Sequence, residues 1–352
     1  MRQTMKMWLV LAVVGIGTPI ALGDVFNLPA GETSLALVPV GNPGNVPDPL
    51  TGFGSVPYSY QMGQTDITVA MYTAMLNAVA SSDPYGLYNP SMGPTVGIGT
   101  GAIVRSGSPG NYMYSFPAAN SNFPINEVSW GDAARFCNWL ANGQPATGVE
   151  SPSTTEDGSY SLNGAVNDQQ LGAVKRSSNA TYVIPTENEW YKAAYYKGHS
   201  TIAGYWLYPT QSNTPPSNIL SSTGTNNANF FDPVLGDTDP ATMLTPVGAF
   251  ADSPGAYGTF DMGGDVFQWT ESGSTSRVSF GGSYILGVTE LEATSSFRAP
   301  ASSYSADNGF RIAEVPEPSA PFLLTIGSLG FLSRRTGLYR GWRYSDVRSP
   351  SH

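Results

Sequence analysis

Residues 258–269 limit what this chain can fold into more than any other segment. They read Gly-Thr-Phe-Asp-Met-Gly-Gly-Asp-Val-Phe-Gln-Trp, with three glycines, two aspartates and no lysine or arginine. A glycine inside a helix costs about 1 kcal/mol relative to alanine, so this stretch is incompatible with a regular amphipathic helix. It predicts a tight turn that leads into a short, largely buried strand, with the carboxylates of Asp261 and Asp265 beside the turn.

The composition indicates a turn-rich globular protein with an acidic balance. Among 352 residues there are 40 glycines and 28 prolines, which favour many turns and long connections over helix bundles. Hydrophobic residues make up 41% of the chain, enough for a sizeable core. The formal net charge of −10 disfavours nucleic acid or an anionic lipid surface as a partner.

Cysteine and histidine are too scarce for most metal sites. Cys137 is the single cysteine, which excludes an intramolecular disulfide and any site built from two or four cysteines. The two histidines, His199 and His352, cannot form a histidine triad for zinc or iron. A bound metal would therefore be a hard cation held by oxygen ligands.

The N-terminus has the layout of a secretory signal peptide. Arg2 and Lys6 precede an apolar run, residues 7–14, and small residues follow at positions 21–23 before the polar Asp24. Gly15, Gly17 and Pro19 interrupt the run before it could span a bilayer, which argues against an anchoring helix. We therefore predict that residues 1–23 are a signal peptide and that the protein is exported.

The C-terminus resembles the PEP-CTERM sorting signal of Gram-negative bacteria. Residues 315–319, Val-Pro-Glu-Pro-Ser, precede a short apolar span at 320–332 and then Arg334 and Arg335. The resemblance implies transient membrane insertion through residues 315–335 and processing by an exosortase, with a tail at 336–352. It places the protein in the cell envelope, on the outer surface or in the extracellular matrix. A C-terminal core helix is the alternative.

Between the two ends, we predict one domain over residues 24–314. Residues 35–40 and 182–184 read as strands. Three helices are predicted from their N-caps and apolar faces, and these begin at Thr68, at Ser129 with Asp132, and at Thr186 with Glu189. The glycine-, serine- and proline-rich segments 85–123, 146–180 and 200–246 read as a surface excursion, a polar insertion and a long loop.

Four stretches in register resemble the formylglycine-generating enzyme (sulfatase-modifying factor) domain family. The first contains Val-Ser-Trp-Gly-Asp-Ala, and the second contains Pro-Thr-Glu-Asn-Glu-Trp. The third is the glycine-aromatic stretch, and the fourth combines Gly-Gly-Ser-Tyr with Gly-Phe-Arg-Ile-Ala. They occupy residues 124–140, 184–194, 258–270, and 280–284 with 308–313. The resemblance implies an α+β, C-type-lectin-like fold with little regular secondary structure, over roughly residues 35–314.

The resemblance also implies bound calcium. In the family, an Asn and a Glu of the third motif help to hold one ion, and Asp265 and Gln268 stand at those positions here. A second site would use Asn229 and one of Asp232, Asp237 or Asp239, of which we select Asp239. Carboxylate and amide oxygens suit calcium. The alternative for Asp261 and Asp265 is a buried pair with Arg298 or Arg311.

The catalytic residues of the family are missing. The enzyme oxidises a substrate cysteine with copper held by two cysteines between the Gly-Gly-Ser and Gly-Phe-Arg motifs. Residues 281–311 contain no cysteine, and oxygen ligands do not hold the soft Cu(I) that thiolates select. Cys137 lies on the apolar face of a predicted helix, where an inert core thiol is expected. The sequence therefore predicts neither copper nor formylglycine generation.

Three functions stay open at this point. The first is a non-catalytic binding or interaction module that takes a glycan or protein ligand. The second is an enzyme of the same family with other chemistry, using carboxylates such as Glu127, Glu187 or Glu271. The third is a structural component of the matrix.

Overall fold

The computed structural model describes residues 34–94, 99 and 102–316. The predicted signal peptide (1–23), nearly all of the predicted sorting signal (315–335) and the tail (336–352) lie outside these residues. Within the described ranges, no helix has the length and apolar character needed to cross a membrane.

Short strands build most of the regular structure. The strands are β1 Leu37–Val40, β2 Tyr60–Gly63, β3 Val104–Ser106, β4 Met113–Ser115, β5 Tyr182–Val183, β6 Phe267–Gly273, β7 Ser276–Phe280, β8 Phe297–Pro300, β9 Asn308–Gly309 and β10 Ala313–Glu314. One antiparallel sheet has the order β1-β2-β10-β5, and β3 and β4 form a hairpin. The other sheet has the order β8-β7-β6-β9, in which β6 and β9 run parallel. The last strand, β10, therefore pairs with β2 from the first part of the domain and with β5 from its middle.

The three predicted helices are present, and each begins directly after its predicted N-cap residue. The α-helices are α1 Val69–Val79, α2 Trp130–Ala141, α3 Asp168–Ala173 and α4 Glu187–Tyr195. The Thr68 hydroxyl accepts from Met71 N at the start of α1. Ser129 and Asp132 form a full capping box on α2, and Thr186 and Glu189 form one on α4. These caps satisfy backbone N–H groups that have no partner inside the helix.

The stretch at residues 258–269 is a turn followed by a buried strand, as predicted. Asp261 and Asp265 both adopt the left-handed conformation, each with φ of 54°. Gly264 has φ of 88°, and a Cβ there would lie 2.2 Å from the Asn229 carbonyl oxygen. Only glycine fits this close approach. Strand β6 then begins at Phe267 and is buried along its first four residues.

Three tryptophans join the motif-bearing stretches at residues 124–140, 184–194 and 258–270 through their indole N–H groups. Trp130, Trp190 and Trp269 are fully buried. Trp130 donates to Thr270 O at 3.1 Å, and Trp269 donates to Val128 O at 3.0 Å. Each ring therefore fills core volume and satisfies its one donor on another segment, as a buried indole requires.

Two segments predicted as a surface excursion and a polar insertion contribute to the core. Residues 85–123 contain the β3–β4 hairpin and bury Leu87 and Ile103. Residues 146–180 contain α3 and bury Tyr160 completely. The prediction of a surface excursion at 85–123 was wrong, and the prediction of a polar insertion at 146–180 omitted its core contact. In both segments the buried apolar residues are isolated in sequence, so they produce no helical or strand period.

The Arg311 side chain is the central polar connection of the core. It is completely buried, and it donates to Gln268 Oε1, Gly63 O and Phe260 O, each at 2.7 Å. Its carboxylate partner is Asp66, 3.5 Å away, rather than the side chain of Asp261 or Asp265. Burial raises the pKa of Asp66 well above its usual range, and the Arg311 charge opposes this shift.

We predict that Arg311→Ala destabilises the protein by at least about 3 kcal/mol, because it leaves three oxygen acceptors of the core without the Arg311 donor at about 1–3 kcal/mol each. The free energy of unfolding from urea denaturation measures the effect. Lys175→Ala is the control, because Lys175 is exposed and should change stability by less than about 0.5 kcal/mol. Equal stability of Arg311→Ala and the control would contradict the role of this side chain.

Candidate functional site

Asp265 and Gln268, the first predicted calcium pair, are held by hydrogen bonds from protein donors. Asp265 Oδ1 accepts from Asn229 Nδ2 at 2.7 Å and from Thr245 N at 2.8 Å. Gln268 Oε1 accepts from Trp190 Nε1 and from Arg311 Nε, both at 2.7 Å. An amide oxygen has two lone pairs, so this arrangement leaves Gln268 none for a cation, and its neighbour is a guanidinium. Gln268 therefore does not fit a calcium ligand here.

Of the second predicted pair, Asn229 offers a buried oxygen, whereas no described contact joins the Asp239 carboxylate to that oxygen. Asn229 is 1% exposed, and its Oδ1 is buried with no hydrogen-bond partner among the described residues. Its Nδ2 donates to Met243 O, while Met243 N donates to Asp239 O. One carboxylate oxygen of Asp239 accepts from Ala241 N. Asn229 Oδ1 is thus an oxygen that a calcium ion could use, and the ion would tie residues 237–245 to the turn before β6.

The segment between the Gly-Gly-Ser and Gly-Phe-Arg motifs is packed. A short 3-10 helix, Val288–Leu291, places Leu291 fully inside a small cluster with Tyr208, Ala228 and Phe230. Ser295 Oγ donates to Glu290 Oε2 at 2.5 Å, which folds this segment back on itself. Residues 281–311 thus contribute a leucine to an apolar cluster and contain no cysteine.

The chain's one thiol lies elsewhere and is inert. Cys137 is fully buried on α2, as predicted. Burial, with a contribution from Glu271, raises the pKa of its thiol well above the usual range. A protonated thiol that solvent cannot reach is a poor nucleophile and a poor metal ligand.

The three carboxylates considered for other chemistry are not hydrogen-bonded to one another, although Glu187 and Glu271 lie on adjacent segments, where Glu271 N donates to Pro185 O at 3.0 Å. Glu271 accepts from Arg176 Nε at 2.9 Å and from the Tyr160 hydroxyl. Glu187 begins α4, and burial raises its pKa. Glu127 has φ of 57° in the turn before α2, and burial followed by the charge of Asp307 raises its pKa. No paired arrangement of these three groups is present in the described structure.

A cleft that the sequence did not predict opens beside the N-terminal end of α2. Its volume is about 210 Å³. It is lined by the loop after α1, by residues of α2 and α3, and by the segment after β8. The lining residues are Tyr85, Gly86, Tyr88, Asn89, Pro90, Ser129, Asp132, Arg135, Val166, Leu171, Ser302 and Tyr304.

Polar groups in the cleft are held in place by the fold. Ser129 N and Oγ both donate to Asp132 Oδ2 at 2.8 Å. Arg135 makes a two-pronged ion pair with Glu156, with Nε–Oε1 at 2.7 Å and Nη2–Oε2 at 3.1 Å. Asn89 accepts from Ser91 N through Oδ1, and its buried Nδ2 has no partner in the described part of the chain. Asn89 Nδ2 is thus a donor without an acceptor at the cleft wall.

Acidic side chains lie close to the cleft. Burial raises the pKa of Asp132 to about 6, and the hydrogen bonds from Ser129 oppose the shift. Glu150 is 9% exposed, and neither carboxyl oxygen has a hydrogen-bond partner among the described residues. Burial, followed by the charge of Asp83, raises the pKa of Glu150 to about 8. Glu150 is therefore protonated in the folded protein at neutral pH.

Comparison with known proteins identifies the domain. The profile of the family described as "Sulfatase-modifying factor enzyme 1-like domain" matches residues 49–315. No curated protein matches the chain by sequence.

Several solved structures match at low sequence identity. CarF is 20% identical with a TM-score of 0.44, over 80% of this chain and 98% of its own. Treponema denticola variable protein 1 is 17% identical with a TM-score of 0.49, over 82% of this chain and 98% of its own. PvdO from Pseudomonas aeruginosa is 17% identical with a TM-score of 0.45, over 80% of this chain and 94% of its own.

For calcium, we predict that the ion raises the melting temperature and that a chelator reverses this, because a ligand of the folded state stabilises it. Asp239→Ala should abolish the shift while leaving the metal-free melting temperature close to that of the wild type. Differential scanning calorimetry with calcium and with EDTA measures both. Identical melting temperatures for the wild type under the two conditions would remove calcium from this site.

For Glu150, we predict that stability falls as the pH rises from about 4.5 to about 8. In this window the unfolded chain has released the Glu150 proton while the folded protein retains it, so deprotonation favours unfolding. The contribution is at most about 1.4 kcal/mol per pH unit. Glu150→Gln should reduce this slope without abolishing it, because burial also raises the pKa of Asp132 to about 6. At pH 8.5 the variant should be more stable than the wild type.

Urea denaturation at a series of pH values measures the Glu150 effect. Asp252→Asn is the control, since Asp252 is exposed and the same chemical change there should leave the slope unaltered. A slope in Glu150→Gln equal to that of the wild type would show that Glu150 does not contribute to it.

Proposed function

The chain belongs to the sulfatase-modifying factor enzyme 1-like family, and from that premise we propose that it is an exported binding protein rather than a formylglycine-generating enzyme. It would act in the cell envelope, on the outer surface or in the extracellular matrix. The cleft beside α2 would hold its ligand.

The observation that carries this proposal is the content of residues 281–311. They include no cysteine, and the single cysteine of the chain, Cys137, is buried on α2. The family reaction, as the resemblance implies it, needs a thiolate pair that binds copper. At this position Leu291 packs into a small apolar cluster, which supports a structural role for the segment.

The cleft supports binding without chemistry. Aromatic rings and convergent polar groups in a concave site are typical of ligand pockets. Its carboxylate, Asp132, caps α2, and its guanidinium, Arg135, is paired with Glu156. Because these contacts hold both side chains in one position, the two groups can contact a ligand without rearranging.

Export rests on the sequence ends alone. The signal-peptide layout of residues 1–23 supports export, and the Pro-Glu-Pro signal at residues 315–335 supports sorting by an exosortase.

The acidic, lysine-poor composition argues against nucleic acid as a partner.

We predict that the purified protein forms no formylglycine on a cysteine-containing sulfatase peptide supplied with copper, a thiol reductant and oxygen. Mass spectrometry detects the aldehyde, and a formylglycine-generating member of the family is the positive control. Aldehyde formation above the protein-free background would overturn the proposed function. Cys137→Ala would then show whether that thiol takes part.

A further inference from the structure

Resting on the proposed binding function, we propose that the cleft beside α2 binds a neutral saccharide. One sugar ring would sit between the tyrosines that line the cleft and the Asp132 carboxylate in its wall. The cavity of about 210 Å³ lies below the range of about 300–1,000 Å³ typical of drug-sized ligand pockets. A single ring with its neighbours extending into solvent suits this size.

Aromatic side chains at the rim provide flat apolar faces. Tyr304 lines the cleft and is 55% exposed. Tyr85 and Tyr88 line it from the loop after α1, but Arg105 lies over the Tyr88 ring at 4.8 Å. The Arg135 guanidinium lies over the Tyr85 ring at 4.7 Å, which fixes that ring in place. Tyr304 and the other face of Tyr85 are therefore the faces offered to a ligand. The C–H face of a pyranose is apolar and flat, so it can pack on a tyrosine ring while its hydroxyls point outward.

Acceptors in the cleft match the hydroxyl groups of a sugar, which can donate to them. Asp132 uses Oδ2 for Ser129, and no described residue donates to its Oδ1. The hydroxyl of Ser302, another lining residue, donates to Asp168 and keeps a lone pair that can accept. Asn89 Nδ2 has no partner among the described residues, but protein atoms enclose it, so a ligand in the cleft does not reach it.

The charges around the cleft select against anionic sugars. Arg135 is neutralised by Glu156 at 2.7 Å. Two carboxylates remain, Asp132 in the wall and Asp168, which holds Ser302 N and Oγ at 2.9 and 2.8 Å. A uronate would add a negative charge beside them, and like charges at short range repel.

The test uses the purified chain with maltotriose, cellotriose and mannotriose as neutral probes and trigalacturonate as the anionic probe. Isothermal titration calorimetry at millimolar sugar measures affinity. We expect at least one neutral trisaccharide to bind, and trigalacturonate to bind at least tenfold more weakly. Tyr304→Ala should weaken binding by about threefold to tenfold, as expected for the loss of one aromatic contact.

Two further variants locate the site. Val166→Trp places a bulky ring at the mouth, where Val166 is 48% exposed, and should abolish binding. Phe231→Ala is the matched control for Tyr304→Ala. Phe231 is a 40% exposed aromatic residue outside the cleft, so its loss should leave the affinity for sugar unchanged. Unaltered melting temperatures show that the variants are folded.

The outcomes separate this inference from the proposed function. Absence of binding by all three neutral probes, binding that Val166→Trp leaves intact, or tighter binding of trigalacturonate would each overturn the saccharide inference. Aldehyde formation on the sulfatase peptide would overturn the proposed function whatever the sugars do. Failure of the sugars without aldehyde formation would leave a binding protein for another ligand class.

Discussion

A single buried guanidinium holds together the segments on which the rest of the domain depends. Arg311 comes from the last motif of the chain, yet it donates to the carbonyls of Gly63 and Phe260 and to the side chain of Gln268. These acceptors belong to β2, to the turn before β6 and to β6 itself. In a domain with so few regular elements, carbonyl groups of turns lack ladder partners, and an arginine with five donors can satisfy several at once. The loop-rich fold is stable because its turns are paired to side chains.

Protein donors also satisfy the oxygens of the first predicted calcium pair, Asp265 and Gln268. Where the family resemblance implies a cation, Gln268 Oε1 receives two N–H donors, and Asp265 receives the Asn229 amide and Thr245. A cation and an array of donors both satisfy buried oxygens, so one can stand in for the other. Asn229 Oδ1 is a buried oxygen of the predicted calcium residues that lacks a protein donor among the described residues. For this reason the calcium prediction depends on Asn229 and Asp239.

Local chemistry could be predicted from the sequence, and long-range assembly could not. The caps at Thr68, Ser129 and Thr186 were predicted correctly because a cap involves residues only two or three positions apart. The turn at residues 258–269 was predictable because its glycines allow few conformations. The family motifs then predicted the α+β fold. The cleft was missed because its wall combines Tyr85, Asp132, Val166 and Tyr304, which share neither a motif nor a period.

The segment at residues 146–180 shows why the cleft is rigid even though loops surround it. Glu156 lies in a π-helical turn at Pro152–Glu156 and binds Arg135 through both of its carboxylate oxygens. Arg135 Nη2 also donates to Ala165 O. Asn138, one helical turn further along α2, donates to Thr155 O and Tyr160 O. The insertion is therefore attached along α2, and it fixes the guanidinium that packs on Tyr85. A wall fixed before the ligand arrives loses little conformational entropy on binding, which favours recognition by a small number of polar contacts.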